Sequence, residues 1–196
     1  MTSPIHAYIL AGGRSSRFGS DKARAMLDGI PLIVRLANAL AANNCQVTVV
    51  AKQDGAYQDL ALRTIADREI DRGPMAGLLR ALEDLSESID RHCGDWVLMN
   101  SCDLRQWEPS WLDALLSAKT SDALAIAFKA ERWQPFPGLY HTALAPVINK
   151  RLINGDASLH GLLDDPETRS VATYIDGLPE IQSANTVAEF QGWQEK

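Results

Sequence analysis

The sequence contains few of the features that would assign it to a specialised class of protein. It has three cysteines, and the spacing of Cys45, Cys93 and Cys102 fits neither a zinc site nor a redox motif. An odd number of widely spaced cysteines indicates free thiols in a reducing cytoplasm rather than a disulfide framework. No apolar run approaches the roughly 20 residues that cross a bilayer, so no membrane-spanning helix is predicted.

An excess of positive charge is also missing. The chain has 25 acidic and 19 basic residues, and its formal net charge is −6. Nucleic acids and anionic membranes are bound through basic surfaces, so neither is a predicted partner. A local basic pocket for a small anion is compatible with this balance. The length of 196 residues suits one domain with a single core, and we predict one domain over 1–196.

Short apolar runs alternate with amphipathic segments through the first 130 residues. Strands are predicted at 5–11, 45–51, 62–67, 95–103 and 122–129. Helices are predicted at 30–44, 75–89 and 110–118, the last capped by Ser110. This alternation is typical of an α/β fold whose mostly parallel sheet is covered by helices on both faces.

The last third of the chain is less regular and leaves room for a hairpin-like lobe. Strands are predicted there at 137–141 and 170–176, and helices at 142–153, 158–165 and 186–194. The segment at 131–141 is rich in aromatic residues and proline. It could line a substrate pocket, but packing in the core is the simpler interpretation.

The stretch LAGGRSSRFGSDKA begins where the first predicted strand ends. In open parallel sheets ligands bind beyond the carboxyl ends of the strands. Gly12 and Gly13 would let the backbone approach a ligand closely and present its N–H groups to an anion. Because Arg14, Arg17 and Lys22 add positive charge, the stretch predicts a phosphate site. It matches neither a P-loop nor a dinucleotide-binding motif, and the alternative is a solvated turn with surface cations.

Two predicted strands end in carboxylates. Asp103 follows the apolar run WVLM, and one carboxylate combined with substrate phosphates is a usual way to bind Mg²⁺. Asp67 ends another strand and could accept hydrogen bonds from a nucleobase or ribose. The alternatives are an aspartate that caps a helix and an aspartate that begins a turn.

A second glycine-bearing loop, GPMAG, leads into the helix predicted at 75–89. Gly73 and Gly77 would permit close approach of a ligand to the N-terminus of this helix, where anions are favoured. An ordinary helix entry would have the same sequence features, so both interpretations stay open.

Taken together, these segments resemble the molybdenum cofactor guanylyltransferase family, the MobA-like nucleotidyltransferases. The matching motifs are LAGGRSSRFGSDKA at 10–23, GPMAGLL at 73–79, CDL at 102–104 and ANTVAEFQGW at 184–193. The resemblance implies a Rossmann-like three-layer αβα fold that binds GTP and Mg²⁺. It further implies transfer of GMP from GTP to the phosphate of molybdopterin, with release of pyrophosphate. The implied protein partners are molybdoenzymes or their chaperones.

The resemblance also implies roles for single residues. The backbone of Leu10, Ala11 and Gly12 would contact the nucleotide, with Gly13 beside it. Lys22 would neutralise the triphosphate, and Arg17 or Arg14 would balance charge on the leaving pyrophosphate. Asp67 would contact the nucleotide, and Asp103 would hold the metal.

Two segments depart from the family pattern. VVAKQDG has no asparagine where the family commonly has one near the guanine, and CDLRQW has arginine and glutamine where proline is common. The base and the acceptor therefore stay open. The alternatives are a related cytidylyl- or sugar-1-phosphate nucleotidyltransferase, or a nucleotide-binding regulatory protein of the same fold without turnover.

Overall fold

The computed structural model describes residues 4–11, 21–68, 72–88, 95–184 and 186–194. Several of the predicted phosphate-site residues lie outside these ranges, namely Gly12, Gly13, Arg14 and Arg17. Their predicted roles therefore stay predictions. The same holds for Cys93.

The centre of the fold is a seven-stranded sheet. The strands in chain order are β1 (Ile5–Leu10), β2 (Met26–Leu27), β3 (Ile30–Pro31), β4 (Cys45–Ala51), β5 (Thr64–Ala66), β6 (Trp96–Ser101), β7 (Ala125–Lys129), β8 (Trp133–His141) and β9 (Ser170–Thr173). Across the sheet the order is β5-β4-β1-β6-β8-β7-β9, while β2 and β3 form a separate antiparallel pair. Only β8 runs against its neighbours, so the predicted mostly parallel sheet is confirmed.

Helices cover both faces of this sheet. They are α1 (Leu32–Ala42), α2 (Pro74–Glu87), α3 (Pro109–Ser117), α4 (Ala145–Ile153), α5 (Leu159–Asp164) and α6 (Val187–Gln194). Because successive side chains of a strand point to opposite faces, Tyr8 packs with α2, α4 and α5 while Ile9 packs with α1 and α3. The predicted αβα layering is therefore confirmed. None of the described helices is long and apolar enough to cross a membrane.

Two predicted helices differ from the structure at their N-termini. The helix predicted from residue 30 begins at Leu32, because Ile30 and Pro31 pair with Met26 and Leu27 instead. The predicted cap Ser110 is wrong, since α3 begins with Pro109 and lacks a side-chain cap. Proline suits the first helical position because the N–H that it lacks would have no partner there.

The segment predicted to form a hairpin-like lobe belongs to the sheet. β8 begins at Trp133, four residues earlier than predicted, and pairs with β7 on one side and β6 on the other. Trp133 and Tyr140 are buried, so core packing accounts for these two aromatic residues.

Candidate functional site

The ends of β1 and β6 meet at the carboxyl edge of the sheet. The chain continues from β1 to β4 and β5 on one side, and then crosses to β6 on the other. Such a switch point is where open α/β sheets bind ligands. Two backbone hydrogen bonds join the end of β1 to its neighbours. Ala11 N donates to Val50 O of β4 at 2.9 Å, and Cys102 N, just after β6, donates to Leu10 O at 3.1 Å. Leu10 and Ala11, both predicted ligand contacts, therefore lie beside the loop that carries Asp103.

Lys22 and Asp103 form the central contact of this edge. The Lys22 ammonium donates to Asp103 Oδ2 at 2.8 Å, and the two side chains are 13% and 15% exposed. An ion pair that is largely withdrawn from water is screened less by salt than a surface pair. The structure thus brings together the two residues that were predicted to act on phosphate and metal.

A short 3₁₀ turn over Lys22–Arg24 presents the lysine. Asp21 caps the turn by accepting a hydrogen bond from Ala23 N at 3.0 Å. The hydroxyl of Tyr57, in the segment after β4, donates to the other oxygen of Asp21 at 2.9 Å. Sequence reasoning missed Asp21 and Tyr57, since nothing in the local pattern indicates a contact over 36 residues.

The chain segment just before α6 holds the loop that carries Asp103. Ala184 N donates to Asp103 O at 3.2 Å, and Arg105 N donates to Gln182 O at 2.9 Å. Leu104 and Ser183 form an antiparallel bridge between these two bonds. The motif ANTVAEFQGW therefore begins directly beside Asp103 of the motif CDL, although the two motifs are about eighty residues apart in the sequence.

The other predicted contacts are distributed along the same edge. Asp67 follows β5, and its N–H donates to Ala51 O at 2.7 Å. Gly73 is the residue before α2, with φ of 80°, a conformation that favours glycine. A Cβ at Gly77 would lie 2.6 Å from Leu10 Cδ2, so the close approach at Gly77 is between α2 and β1. Ligand contact by Asp67, Gly73 and Gly77 stays a prediction.

The neighbouring thiol is unsuited to nucleophilic chemistry. Desolvation raises the pKa of Cys102 to about 12, and the negative charge of Asp103 adds to the rise. A thiol with such a pKa is protonated at neutral pH, whereas the thiolate is the nucleophile. We therefore do not expect Cys102 to act as a nucleophile at this edge.

Asp103 fits the predicted role of a Mg²⁺ ligand. Within the described residues, no three histidine, cysteine, aspartate or glutamate side chains are grouped closely enough to hold an ion by themselves. Mg²⁺ is commonly held by one or two carboxylates together with substrate phosphates, which requires no such group. The Lys22 ammonium on Asp103 Oδ2 also indicates that this carboxylate is placed to hold a cation.

The mostly parallel seven-stranded sheet with its covering helices is an α/β nucleotidyltransferase fold, in agreement with the solved structures that this chain resembles. Residues 7–171 match the MobA-like NTP transferase domain, and the chain belongs to this family.

Individual relatives extend this match over the whole chain. The molybdenum cofactor guanylyltransferase of Serratia proteamaculans is 30% identical over 199 residues, which cover 100% of this chain and 97% of that protein. The probable molybdenum cofactor guanylyltransferase of Deinococcus radiodurans is 34% identical over 95% of this chain and 92% of its own length. The crystal structure of molybdopterin-guanine dinucleotide biosynthesis protein A from Archaeoglobus fulgidus superimposes with a TM-score of 0.79 at 20% identity, covering 97% of each chain.

Proposed function

We propose that this protein transfers GMP from GTP to the terminal phosphate of molybdopterin or the molybdenum cofactor, in a reaction that requires Mg²⁺. The observation that carries the proposal is the Lys22–Asp103 pair at the switch point of the sheet. The pair supplies one group for a triphosphate and one for a metal ion. The names of the relatives from Serratia proteamaculans and Deinococcus radiodurans support the same substrates.

The proposed reaction is a displacement at the α-phosphorus of GTP. An oxygen of the acceptor phosphate forms a new bond to the α-phosphorus, and the bond from the α-phosphorus to the oxygen that it shares with the β-phosphorus breaks. Pyrophosphate leaves with that electron pair. A phosphate monoester carries nearly two negative charges at pH 7 because its second pKa is about 6, so the nucleophile needs no general base.

The protein contributes positioning and charge. Lys22 would turn from Asp103 to the triphosphate and balance the charge that develops on the leaving pyrophosphate. This movement frees Asp103 to hold Mg²⁺, which would supply further charge neutralisation at the phosphates. The backbone of Leu10 and Ala11 would line the nucleotide. We propose that Arg17, with Gly12 and Gly13, completes the phosphate contacts.

The decisive experiment is an assay of pyrophosphate release with molybdopterin as the acceptor, run in parallel with GTP and CTP. We expect release that depends on molybdopterin, on Mg²⁺ and on GTP. Release with CTP alone would contradict the guanylyl assignment and retain the reaction class. Absence of release with every nucleotide would contradict the catalytic proposal.

One observation favours a second candidate, a cytidylyl- or sugar-1-phosphate nucleotidyltransferase. The segment after β4 carries exposed Lys52 and Gln53 and no asparagine. This segment is fixed to the neighbouring strand, since Asp54 Oδ1 accepts from Ala66 N at 2.6 Å. A thermal-shift comparison of GTP, CTP, UTP and ATP with Mg²⁺ separates these candidates by the base that raises Tm most.

We also propose that the protein works in the cytoplasm. Cys45 and Cys102 are free thiols, as expected in a reducing compartment. Delivery of the product to molybdoenzymes or their chaperones is a further proposal, which rests on the family resemblance.

A further inference from the structure

Tyr57 is a buried tyrosine whose hydroxyl lies at the edge of the nucleotide site. Its ring packs in the core on the α1 and α3 face, and the residue is 3% exposed. The hydroxyl donates to Asp21 Oδ2 at 2.9 Å and lies 3.4 Å from Ala11 O. One phenol oxygen therefore contacts the end of β1 and the beginning of the turn that carries Lys22.

Asp21 connects Tyr57 to Lys22. One carboxylate oxygen caps the Lys22–Arg24 turn, and the other accepts the Tyr57 hydroxyl. The Asp21 side chain is 41% exposed, so burial does not fix its orientation. The buried partner of this contact is the tyrosine, whose ring packs in the core; Arg24 Nε lies 3.5 Å from the same carboxylate oxygen and is exposed like Asp21. The turn is thus tied to the β4 side of β1, while the Lys22 ammonium reaches Asp103 on the β6 side.

Arg24 makes a second attachment between the turn and the Tyr57 segment. Its guanidinium donates to both carboxylate oxygens of Asp59 and to Ala56 O, and lies 5.1 Å from the centre of the Tyr57 ring. Because these bonds remain without the phenol, loss of the hydroxyl would loosen the turn and would not detach it.

We propose that the Tyr57 hydroxyl is a positioning group: by holding Asp21, it sets the point from which the Lys22 ammonium reaches the phosphates of a nucleoside triphosphate. This inference rests on the proposed function, in which Lys22 binds the triphosphate. Burial raises the pKa of Tyr57, and the negative charge of Asp21 raises it further, so the hydroxyl stays protonated and remains a donor.

The test separates binding of phosphate from binding of the nucleoside. Tyr57→Phe keeps the ring in the core and removes only the hydroxyl. We expect the Kd for GTP with Mg²⁺ to rise about tenfold, in line with a lost hydrogen bond to a charged group. The Kd for guanosine, which lacks phosphates, should stay within about twofold. A purely structural role would weaken the binding of both ligands.

Tyr8→Phe is the matched control. The Tyr8 hydroxyl also donates to a carboxylate at 2.9 Å, that of Asp84, and Tyr8 is equally buried. Its carboxylate lies within α2 and makes no contact with Lys22 in the described structure. We expect the Kd for GTP to be unchanged in this variant. In an Asp21→Ala background, Tyr57→Phe should have little further effect on the Kd for GTP, because the connecting carboxylate is gone and only the 3.4 Å contact of the hydroxyl with Ala11 O remains.

A second measurement keeps this inference separate from the proposed function. The NMR signal of the Lys22 ammonium should show slow hydrogen exchange in the wild-type protein, since it is paired with Asp103, and fast exchange in Tyr57→Phe. This comparison needs no nucleotide, and Lys22→Met assigns the signal. If the wild-type protein bound no GTP, the proposed function would fail while this signal still tested the positioning role. Equal exchange in wild type and Tyr57→Phe, or equal losses of GTP and guanosine affinity, would overturn the inference.

Discussion

The ammonium of Lys22 and the carboxylate of Asp103 are in contact at 2.8 Å although 81 residues separate them in the chain. The lysine belongs to the segment after β1, and the aspartate to the loop after β6. These strands are parallel neighbours in the sheet, so the segments that follow them meet at the switch point and bring the two side chains into contact. In this pair, Lys22 takes the place at Asp103 that we assign to a metal ion.

The first prediction concerns Asp103 in turnover. Asp103→Asn removes the negative charge but keeps the size of the side chain, so we expect the fold to persist. Turnover should fall by at least about 100-fold, comparable to the loss of one charge-stabilising group in other enzymes. Circular dichroism checks the fold, and pyrophosphate release measures turnover. Asp113→Asn, an exposed change on α3, is the control and should leave turnover unchanged. Near-normal turnover of Asp103→Asn at saturating Mg²⁺ would contradict the metal assignment.

The second prediction concerns competition between Lys22 and a metal for Asp103. With the ammonium on Asp103 Oδ2, a divalent ion has to displace it, so wild-type protein should bind Mn²⁺ weakly without a nucleotide. Lys22→Met removes the competitor, and we expect the affinity for Mn²⁺ alone to rise about tenfold. Electron paramagnetic resonance of free Mn²⁺ measures both constants.

Lys150→Met provides the control for this experiment. Lys150 lies on α4 and pairs with Glu167 at 3.9 Å, so its loss removes one positive charge away from Asp103. Equal Mn²⁺ affinities of the wild-type protein and Lys22→Met would show that the ammonium does not compete for this carboxylate.

The third prediction concerns the packing of α2 on β1. Gly77→Ala places a Cβ 2.6 Å from Leu10 Cδ2, the end of a flexible side chain that has to turn aside at a cost of about 0.5–1.5 kcal/mol. Alanine is favoured over glycine in a helix by about 0.5–1 kcal/mol, so the two effects should nearly cancel in the free energy of unfolding. Gly192→Ala in α6 meets nothing within 4 Å and should instead stabilise. Urea denaturation measures the free energy of unfolding of both variants. An equal stabilisation by the two changes would contradict the packing role of Gly77.

The fourth prediction concerns the pH dependence of stability at Asp84. Burial alone would raise the pKa of Asp84, but hydrogen bonds from Arg63 and Tyr8 outweigh it and hold the pKa below its usual value. A lowered folded-state pKa stabilises the fold above the ordinary aspartate pKa of about 3.9, and this contribution is lost as the pH falls through the folded-state value.

Asp84→Asn should therefore lower the free energy of unfolding by about 2 kcal/mol at pH 7, and the difference should shrink below about pH 4. Asp59→Asn is the matched control, because Arg24 also binds Asp59 through two hydrogen bonds. Asp59 is exposed, so solvent screens its pair and the effect should be smaller at every pH. Urea denaturation between pH 3 and pH 7 gives both differences. A constant difference over this range would contradict the assigned pKa shift.

Local sequence patterns were sufficient for much of the architecture. Short apolar runs predict β1, β4 and β6, and helical spacing predicts most of the helices, because these signals lie within a few residues of one another. The antiparallel direction of β8 was not predicted. Strand direction depends on which strands pair, and residues 131–141 carry no local signal of their partners.

In the candidate site, too, some features follow from the local sequence and others only from the tertiary structure. The sequence by itself determined that Asp103 follows a buried strand and that Lys22 follows a glycine-bearing stretch, since both are properties of adjacent residues. It determined the family as well, through motifs at 10–23, 73–79 and 102–104. Only the tertiary structure decided that Lys22 contacts Asp103 and that Tyr57 holds the turn. Such contacts join residues far apart in the chain, and they form because the parallel strands bring their carboxyl ends to one edge of the sheet.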